Sequence, residues 1–421
     1  MAVMTMLAKE ARNKAKKEDN SFGASLTARK AIEEFGADKV IEATLGVIKD
    51  ENGVFATLPT FEKIYRELPG NELCDYAGIP GTADFRDAAI EFTFQGHQPK
   101  GTFARAIATP GGSGAIHHAI YNYVGADEKY LIPDWCWGPY REMGVECNRQ
   151  YEMYRCFNEN NEFDVEGIIE KSKELLSSQE GLLTFFNTPA HNPSGYTMSN
   201  EDWKQLTDYY REAAEDQSKR IIVLWDMAYT DYAGDKDEVR DFLKYFDNMP
   251  ENVLLLVAFS MSKSFLIYGM RSGALIGVST SEEIIDEFDR TITFSNRSTW
   301  SNGSRGAQTA LAMIMADPQL KEQTDKERQE FTDLIAKRAA IFVKEAEEVG
   351  LPILPYKAGF FVTLPANDQF ALCDELKEDL IFSIPLDSGG VRFAMSALPS
   401  SKVPGLAAKV MKHFVEGNYQ V

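Results

Sequence analysis

One apolar run, residues 253–259, constrains the fold of this chain more than any other stretch. Its seven consecutive apolar residues predict a strand buried on both faces, as in the interior of a parallel sheet. The segment 260–273 follows at once and carries Lys263 just beyond the strand. Ligands of α/β proteins bind at the carboxyl ends of such strands, so a reactive amine is expected there. On this stretch alone, a solvated lysine after a strand would give the same sequence.

Other apolar runs alternate with helical patterns along the middle of the chain. The predicted strands cover residues 103–109, 129–132, 181–186, 221–225 and 253–259. Parallel strands need long crossover connections, and helices usually supply them. The alternation therefore predicts an α/β fold with a mostly parallel sheet covered by helices.

Charge and composition exclude several classes of partner. The formal net charge is -20 at pH 7, and no basic stripe is present, so we expect no nucleic-acid partner. No apolar run is long enough to span a membrane, and the charged N-terminus lacks a signal peptide's apolar core. We therefore expect a cytoplasmic protein without membrane contact.

The cysteines and histidines show no pattern of a metal site. The five cysteines form no Cys-x-x-Cys pair, and the five histidines lack ligand spacing. We therefore expect reduced thiols and no metal site.

Three more predicted strands end in residues suited to ligand binding. Gly112 and Ser113 lie in a glycine-rich turn that opens a helix, where bare backbone N–H groups bind phosphate. Asn192 follows the next such strand; its amide can donate to a phenolic oxygen or cap its own turn. Asp226 ends an apolar strand, where a carboxylate needs a basic side chain or a ligand cation.

Four strand ends therefore offer groups suited to a phosphate, a phenolic oxygen, a ring cation and an aldehyde. Pyridoxal 5'-phosphate carries all four, and Lys263 can form a Schiff base with its aldehyde. Ser260 and Arg271 add a hydroxyl and a guanidinium that can converge on the phosphate. The joint pattern, rather than any one residue, predicts this cofactor.

The chain resembles the pyridoxal-phosphate-dependent aminotransferases of class I/II (fold type I), in the aspartate and aromatic aminotransferase branch. Ser-x-x-Lys-x-x-x-x-Tyr-Gly-x-Arg (260–271) is similar to the family's cofactor-lysine motif. Further matches are Leu-Gly-Val-Ile-Lys-Asp-Glu-Asn-Gly (45–53), Tyr-x-Gly-Ile-x-Gly (76–81), His-Asn-Pro-Ser-Gly (191–195), Asp-Met-Ala-Tyr (226–229) and Val-Arg-Phe-Ala (391–394). The resemblance implies a large domain with a mostly parallel seven-stranded sheet and a smaller α+β domain.

The resemblance also implies a role for each matching residue at the cofactor. Lys263 would be the Schiff-base lysine and proton carrier, Asp226 would keep the ring nitrogen protonated, and Tyr229 and Asn192 would bind the phenolic oxygen. The phosphate would be held by Gly112, Ser113, Ser260 and Arg271, with Tyr76 reaching it from the other subunit. The enzyme would thus be a homodimer with shared active sites.

The aromatic residue that stacks on the ring has two candidates, Trp135 and Trp137. Trp137 fits the downstream register of the family better, whereas Trp135 fits the preceding proline, and either residue can be ordinary core. We choose Trp137. On that register Tyr140 stands where the family has a histidine that supports the aspartate.

At the substrate, the resemblance implies Gly46 at the edge of the site, with Asn192 beside it and Arg392 binding the α-carboxylate as a bidentate pair. Arg297 opens a segment similar to the family's Arg-x-x-Tyr-Ser-Asn, with Trp300 in place of the tyrosine. Its guanidinium would reach across the dimer to a distal carboxylate, unless it only pairs with an acidic neighbour on the surface.

The predicted reaction moves an amino group from an L-amino acid, aspartate or aromatic, to a 2-oxo acid such as 2-oxoglutarate. A pyridoxal-phosphate-dependent lyase, acting by β-elimination or decarboxylation, is the alternative, because these reactions share one cofactor site. A non-catalytic sensor would need a basic DNA-binding domain, and the sequence contains none.

Two domains are expected for a chain of 421 residues. A helical pattern over residues 324–349 ends at Gly350, an ordinary stop signal, and marks the boundary. We expect residues 1–60 to form an N-terminal arm and the first part of the small domain. Residues 61–323 would form the large cofactor-binding domain, and 324–421 the small C-terminal domain with the interdomain helix.

Overall fold

The computed structural model describes residues 5–12, 14 and 20–421. Its strands are β1 (Ile41–Glu42), β2 (Phe103–Thr109), β3 (Lys129–Pro133), β4 (Gln150–Tyr154), β5 (Gly181–Phe186), β6 (Arg220–Asp226), β7 (Val253–Ser260), β8 (Gly273–Ser279), β9 (Phe361–Pro365), β10 (Ile381–Phe382), β11 (Ile384–Leu386) and β12 (Gly390–Ala394). Its α-helices are α1 (Asn20–Phe35), α2 (Pro59–Glu67), α3 (Gly70–Cys74), α4 (Ala83–Phe94), α5 (Gly111–Tyr123), α6 (Pro139–Glu146), α7 (Val165–Leu176), α8 (Asn200–Ala213), α9 (Met261–Ser264), α10 (Glu282–Thr299), α11 (Arg305–Ala316), α12 (Pro318–Val349), α13 (Gln369–Glu378) and α14 (Leu406–Glu416).

The large sheet has seven strands in the order β2-β8-β7-β6-β5-β3-β4. Neighbouring strands from β7 to β4 are parallel, whereas β8 runs antiparallel to both of its neighbours, β2 and β7. The predicted mostly parallel sheet is confirmed. Two of its strands, β4 and β8, were not found among the apolar runs of the sequence.

Strand β7 shows why the sheet is buried on both faces. Leu255, Val257 and Phe259 pack in one hydrophobic cluster, together with residues of α4, α8 and α11. The alternate residues Leu254 and Leu256 pack in a second cluster with residues of α5, α6 and α10. Successive side chains of a strand point to opposite faces, so a strand between two helical layers must be apolar throughout.

A smaller domain has its own core. Strands β11, β12 and β9 form an antiparallel sheet, and β1 pairs with β10 in parallel. Phe342 of α12, Phe393 of β12 and Leu406 of α14 share one hydrophobic cluster with Ile41 and Ala43. The second core therefore draws on residues near both ends of the chain.

Helix α12 connects the two cores and is longer than predicted. It begins at Pro318, not at residue 324, because the side chain of Asp317 caps it by accepting from the backbone N–H of Gln319 at 2.8 Å. Proline at the first helical position is favourable because its missing N–H has no partner to lose there. The helix ends as predicted, with Gly350 in the left-handed conformation (φ 73°).

Helix α1 lies within residues 1–60, which were expected to form an N-terminal arm and the first part of the small domain, and part of that range lies outside the described residues. In the described part of the chain, no helix combines the length and the apolar character that a membrane crossing requires.

Candidate active site

Lys263 lies on the short helix α9, which begins directly after β7 ends at Ser260. Its Nζ donates a hydrogen bond to the carbonyl oxygen of Gly46 at 2.6 Å and lies 4.7 Å from the ring centre of Tyr268. Burial, with help from the charges of Arg392 and Arg271, lowers the pKa of Lys263 to about 7. Near neutral pH a large share of this amine is therefore uncharged, which is its nucleophilic form.

Gly46 accepts this hydrogen bond at a position where only glycine fits. A Cβ atom on Gly46 would lie 2.4 Å from Cζ of Phe361, well inside van der Waals contact. The sequence predicted Gly46 at the substrate edge of the site, and the structure brings its backbone to the lysine.

Asp226 is the last residue of β6 and is only 5% exposed. Its Oδ2 accepts from the hydroxyl of Tyr140 at 2.5 Å, and its Oδ1 accepts from the backbone N–H of Ala228 at 3.1 Å. Burial raises the pKa of Asp226 to about 6, and these two hydrogen bonds act in the opposite direction. Both donors are uncharged, so a ligand cation would add the stabilisation that the buried carboxylate needs.

Asn192 connects Asp226 to the substrate side of the cluster. Its side-chain Nδ2 donates to the hydroxyl of Tyr229 at 3.4 Å, and its backbone N–H donates to Oδ1 of Asn187 at 2.8 Å. Asn187 in turn donates to the carbonyl oxygen of Asp226 at 2.9 Å. The loop after β5 is thus fastened to the end of β6.

Arg392, on β12 of the small domain, is buried against this loop. Its Nη1 donates to Oδ1 of Asn192 at 2.9 Å, its Nη2 donates to the carbonyl oxygen of Thr44 at 3.2 Å, and its guanidinium lies 4.1 Å from the ring centre of Phe361. Its Nε is buried without a hydrogen-bond partner. Burial lowers the pKa of Arg392 to about 10, so it remains a cation at neutral pH. A buried cation with an unused donor is suited to an anionic ligand group.

The glycine-rich turn and the lysine segment meet at the other end of the cluster. A Cβ atom on Gly111 would lie 2.8 Å from Nη2 of Arg271, and one on Gly112 would lie 3.2 Å from Cβ of Ser260. The backbone N–H groups that open α5 are therefore next to a hydroxyl and a guanidinium. Ser113 lies in the same first turn and is partly buried. This combination is a phosphate-binding arrangement.

Ser262 and Tyr268 also belong to the cluster, and neither was predicted as a site residue from the sequence. The hydroxyl of Ser262 accepts from Nη1 of Arg271 at 3.1 Å, and the hydroxyl of Tyr268 accepts from the backbone N–H of Ile48 at 2.9 Å. Ser262 adjoins Lys263, and Tyr268 stands within the quoted lysine motif, so their positions in the sequence were the available signal.

The two tryptophans lie on opposite faces of the sheet. Trp137 contacts Tyr140 edge to face, with 5.7 Å between ring centres, and Tyr140 is the donor to Asp226. Trp135 packs on the other face and reaches Gly390 of the small domain, where a Cβ atom would meet its ring at 2.9 Å. Trp137 therefore stays the candidate for the ring-stacking residue.

Tyr76 and Arg297 form their hydrogen bonds with residues outside this cluster. Tyr76 is 78% exposed, and its carbonyl oxygen accepts from Arg305 at 2.9 Å. Arg297 is exposed in the last turn of α10 and donates to Oγ of Ser301 at 2.7 Å. Both side chains extend from the surface of the single chain.

The cluster fits pyridoxal 5'-phosphate at each functional group of that cofactor. The amine of Lys263 suits the aldehyde, the buried carboxylate of Asp226 suits the ring nitrogen, and the amide of Asn192 with Tyr229 suits the phenolic oxygen. The turn beside Arg271 suits the phosphate. The functional groups of these residues therefore match those of pyridoxal 5'-phosphate.

Comparison with known proteins gives the same result. Residues 45–410 match the family model described as aminotransferase class I and II. The aspartate aminotransferase of Escherichia coli K12 is 26% identical over 355 residues, which cover 81% of this chain and 84% of that protein. The aromatic-amino-acid aminotransferase of Pseudomonas aeruginosa is 26% identical over 291 residues, which cover 68% of this chain and 70% of that protein.

A solved structure is similar over nearly the whole chain. The crystal structure of an aminotransferase from Anaerococcus prevotii DSM 20548 has 34% sequence identity and a TM-score of 0.94, and the match covers 97% of this chain and 99% of that one. Both the architecture and the order of the motifs therefore agree with those of aminotransferases. The chain belongs to the aminotransferases of class I and II, and it is a pyridoxal-phosphate-dependent aminotransferase of fold type I.

Proposed function

We propose that this enzyme transfers the amino group of aspartate or of an aromatic L-amino acid to a 2-oxo acid such as 2-oxoglutarate. The observation that carries the proposal is the buried guanidinium of Arg392, which has an unused Nε donor and contacts Asn192. An α-carboxylate is the anion common to all these substrates. The names of the relatives support an aspartate or aromatic donor, and they favour transamination over β-elimination or decarboxylation.

Pyridoxal phosphate, when bound, supplies an aldehyde that captures the amino group and a ring that stabilises negative charge on Cα. Lys263 then acts as the base, because its lowered pKa lets Nζ accept the proton of Cα near neutral pH. Asp226 keeps the ring nitrogen protonated, and Tyr140 holds that carboxylate in position. Gly46 orients Lys263 by accepting a hydrogen bond from Nζ.

The remaining residues bind and orient. Gly112, Ser113, Ser260 and Arg271 would hold the phosphate, and Trp137 would pack against the ring. Asn192 and Tyr229 would donate to the phenolic oxygen, and Arg392 would bind the α-carboxylate. A substrate held at both its carboxylate and its amino group would have a fixed orientation, and that orientation would select the bond at Cα that reacts.

We also propose a homodimer in which Tyr76 and Arg297 act in the active site of the neighbouring subunit. Their exposure supports this, and so does Phe294, which lies one turn before Arg297 on α10 and is 75% exposed. A second subunit packed against this part of α10 would remove the apolar side chain of Phe294 from water. The cytoplasmic location and the division of the chain after residues 60 and 323 stay predictions.

The substrate proposal is tested with a panel of amino donors against 2-oxoglutarate. A 2-oxo acid product together with glutamate is expected, whereas pyruvate with ammonia, or CO2, would indicate a lyase.

The variant Arg297→Ala tests the role of this arginine. It should weaken transition-state binding of aspartate by about 2 to 4 kcal/mol, the scale of a desolvated carboxylate left unpaired. It should weaken transition-state binding of phenylalanine much less. Arg297→Lys, which keeps the charge, is the matched control and should lose less. An equal loss for both donors would contradict the role of Arg297.

A further inference from the structure

Asn296, on the last turns of α10, is 0% exposed and forms four side-chain hydrogen bonds. Its Nδ2 donates to the carbonyl oxygens of Ile79 and Ala108 at 2.9 and 2.7 Å. Its Oδ1 accepts from Nε1 of Trp300 at 2.9 Å and lies 2.9 Å from Nε2 of His118. An asparagine amide has two donors and two acceptor sites, so every one of them is used.

Chemistry fixes the orientation of this amide. The indole of Trp300 can only donate, and the carbonyls of Ile79 and Ala108 can only accept, so exchanging Oδ1 and Nδ2 would break three bonds. Burial lowers the pKa of His118 to about 4, so its ring is neutral and carries its hydrogen on Nε2 when it donates to Asn296. Because all of its donor and acceptor sites are used, the buried amide of Asn296 is held in a single orientation.

The four partners of Asn296 come from segments with different proposed roles. Ala108 is the penultimate residue of β2, directly before the phosphate turn, and His118 lies on α5, the helix that this turn opens. Ile79 follows Tyr76, and Trp300 follows Arg297. One side chain therefore joins the phosphate end of the chain's own site to the two segments proposed to act in the neighbouring site.

Trp300 is the member that holds the Arg297 turn. Its ring stacks obliquely on His118, with 4.3 Å between ring centres and 31° between planes. The backbone N–H groups of Trp300 and Ser301 both donate to the carbonyl oxygen of Asn296, at 3.1 and 2.9 Å. The left-handed backbone of Ser301 (φ 71°) turns its hydroxyl to accept from Arg297. The turn that Trp300 anchors therefore fixes the backbone that follows Arg297.

We propose that Trp300, anchored by Asn296 and His118, is a positioning residue for Arg297 and thereby a determinant of preference for dicarboxylate over aromatic donors. The inference rests on the proposed role of Arg297. A long arginine side chain loses conformational entropy when it is fixed on a carboxylate, and a fixed backbone turn reduces that loss. An aromatic donor does not use this guanidinium, so it gains nothing from the anchor.

The test uses the holoenzyme with Trp300→Phe, which keeps an aromatic ring beside His118 but replaces the indole with a smaller ring and removes the N–H donor to Asn296. Ser298→Ala is the matched control, since Ser298 lies in the same turn and its hydroxyl donates to the carbonyl oxygen of Phe294 at 3.0 Å. We expect kcat/KM for aspartate to fall about fivefold or more in Trp300→Phe, the scale of one lost hydrogen bond, and less than about twofold for phenylalanine.

Binding without turnover gives a second readout. The dissociation constants of succinate, which has two carboxylates, and of 3-phenylpropionate, which has one and a ring, are measured by calorimetry. Succinate binding should weaken in Trp300→Phe by the same factor as aspartate kcat/KM, and 3-phenylpropionate binding should not follow it. Equal changes for both ligands, or no change for either, would overturn the inference.

The double variant Arg297→Ala/Trp300→Phe shows whether Trp300 acts through Arg297. If it does, the double variant loses no more aspartate activity than Arg297→Ala alone, whereas losses that multiply would overturn the inference. If Arg297→Ala itself lowers aspartate and phenylalanine activity equally, the proposed function fails. If Arg297→Ala is selective and Trp300→Phe is not, only the inference about Trp300 fails. Should Trp300→Phe lose cofactor absorbance or change sedimentation, Trp300→Leu, which has no hydrogen-bond donor in its side chain, replaces it with the same outcomes.

Discussion

The hydroxyl of Tyr140 donates a hydrogen bond to Oδ2 of Asp226 across 2.5 Å, and both residues are buried. A phenol differs from the histidine expected at this place in the family, because it stabilises the ionised carboxylate without adding positive charge. Burial has a larger effect than this hydrogen bond, so the pKa of Asp226 is raised to about 6. A cationic ring bound there would therefore be the partner that makes this carboxylate fully ionised at neutral pH.

Removing the hydroxyl with Tyr140→Phe should raise the pKa of Asp226 in the apoprotein by about 1, the effect of one lost hydrogen bond to a charged group. An unfolded aspartate has a pKa of about 3.9, so between about pH 4 and 6 the folded state binds more protons than the unfolded state. The free energy of unfolding contributed by Asp226 therefore falls as pH rises through that window, and in Tyr140→Phe the fall should continue to higher pH. Urea unfolding of the apoprotein from pH 4 to 8 measures this.

Asp226→Asn is the control for that experiment, because it removes the titrating group and should remove this part of the pH dependence. Identical pH profiles in wild type and Tyr140→Phe would show that the hydrogen bond does not govern the ionisation of Asp226.

Arg392 should matter equally to every amino donor, because all of them carry an α-carboxylate. Arg392→Ala should lower kcat/KM for aspartate and for phenylalanine by about 2 to 5 kcal/mol, the scale of removing one partner from a buried charge pair. Arg392→Lys keeps the charge but loses the planar pair of donors, so it should lose less than alanine and still fall below wild type. Initial rates of both variants with aspartate and with phenylalanine measure these losses. A loss confined to aspartate would mean that Arg392 binds the distal carboxylate instead.

Shared active sites predict that two inactive variants can complement each other. Lys263→Ala keeps Tyr76 and Arg297, whereas Tyr76→Phe/Arg297→Ala keeps Lys263. A mixed dimer therefore contains one intact site, built from the lysine of one subunit and the tyrosine and arginine of the other. Mixing after reversible dissociation should restore aspartate activity, and the control mixture of Lys263→Ala with itself should not. No recovery in dimers shown to be mixed, or an active monomer by sedimentation, would contradict the shared site.

The sequence predicted those strands whose physical environment leaves a simple pattern. Strands β5, β6 and β7 lie between two helical layers, so their residues form continuous apolar runs. Strand β4 was missed because it is at the edge of the sheet, where four of its five residues are partly buried or exposed: Gln150, Tyr151, Glu152 and Met153. Strand β8 was missed because Gly273 and Gly277 interrupt its apolar pattern.

The site was predictable where neighbouring strands end together, and less so where distant segments meet. Asp226 and Lys263 follow adjacent parallel strands, so their convergence follows from the sheet. The contacts of Lys263 with Gly46 and of Arg392 with Asn192 join segments about 200 residues apart, and local patterns carry no information on them without the family resemblance. The anchoring of Trp300 by Asn296 depends on four separate segments meeting at one amide, which only the folded structure brings together.

We propose that Lys263 holds the cofactor covalently. Treatment of the purified holoenzyme with sodium borohydride, followed by proteolysis and mass spectrometry of the peptides, tests this attachment. We expect the reduced cofactor on the peptide containing Lys263, and we expect Lys263→Ala to retain no cofactor after the same treatment and dialysis. Reduced cofactor on another lysine of the wild-type enzyme, or permanently attached cofactor in Lys263→Ala, would contradict it.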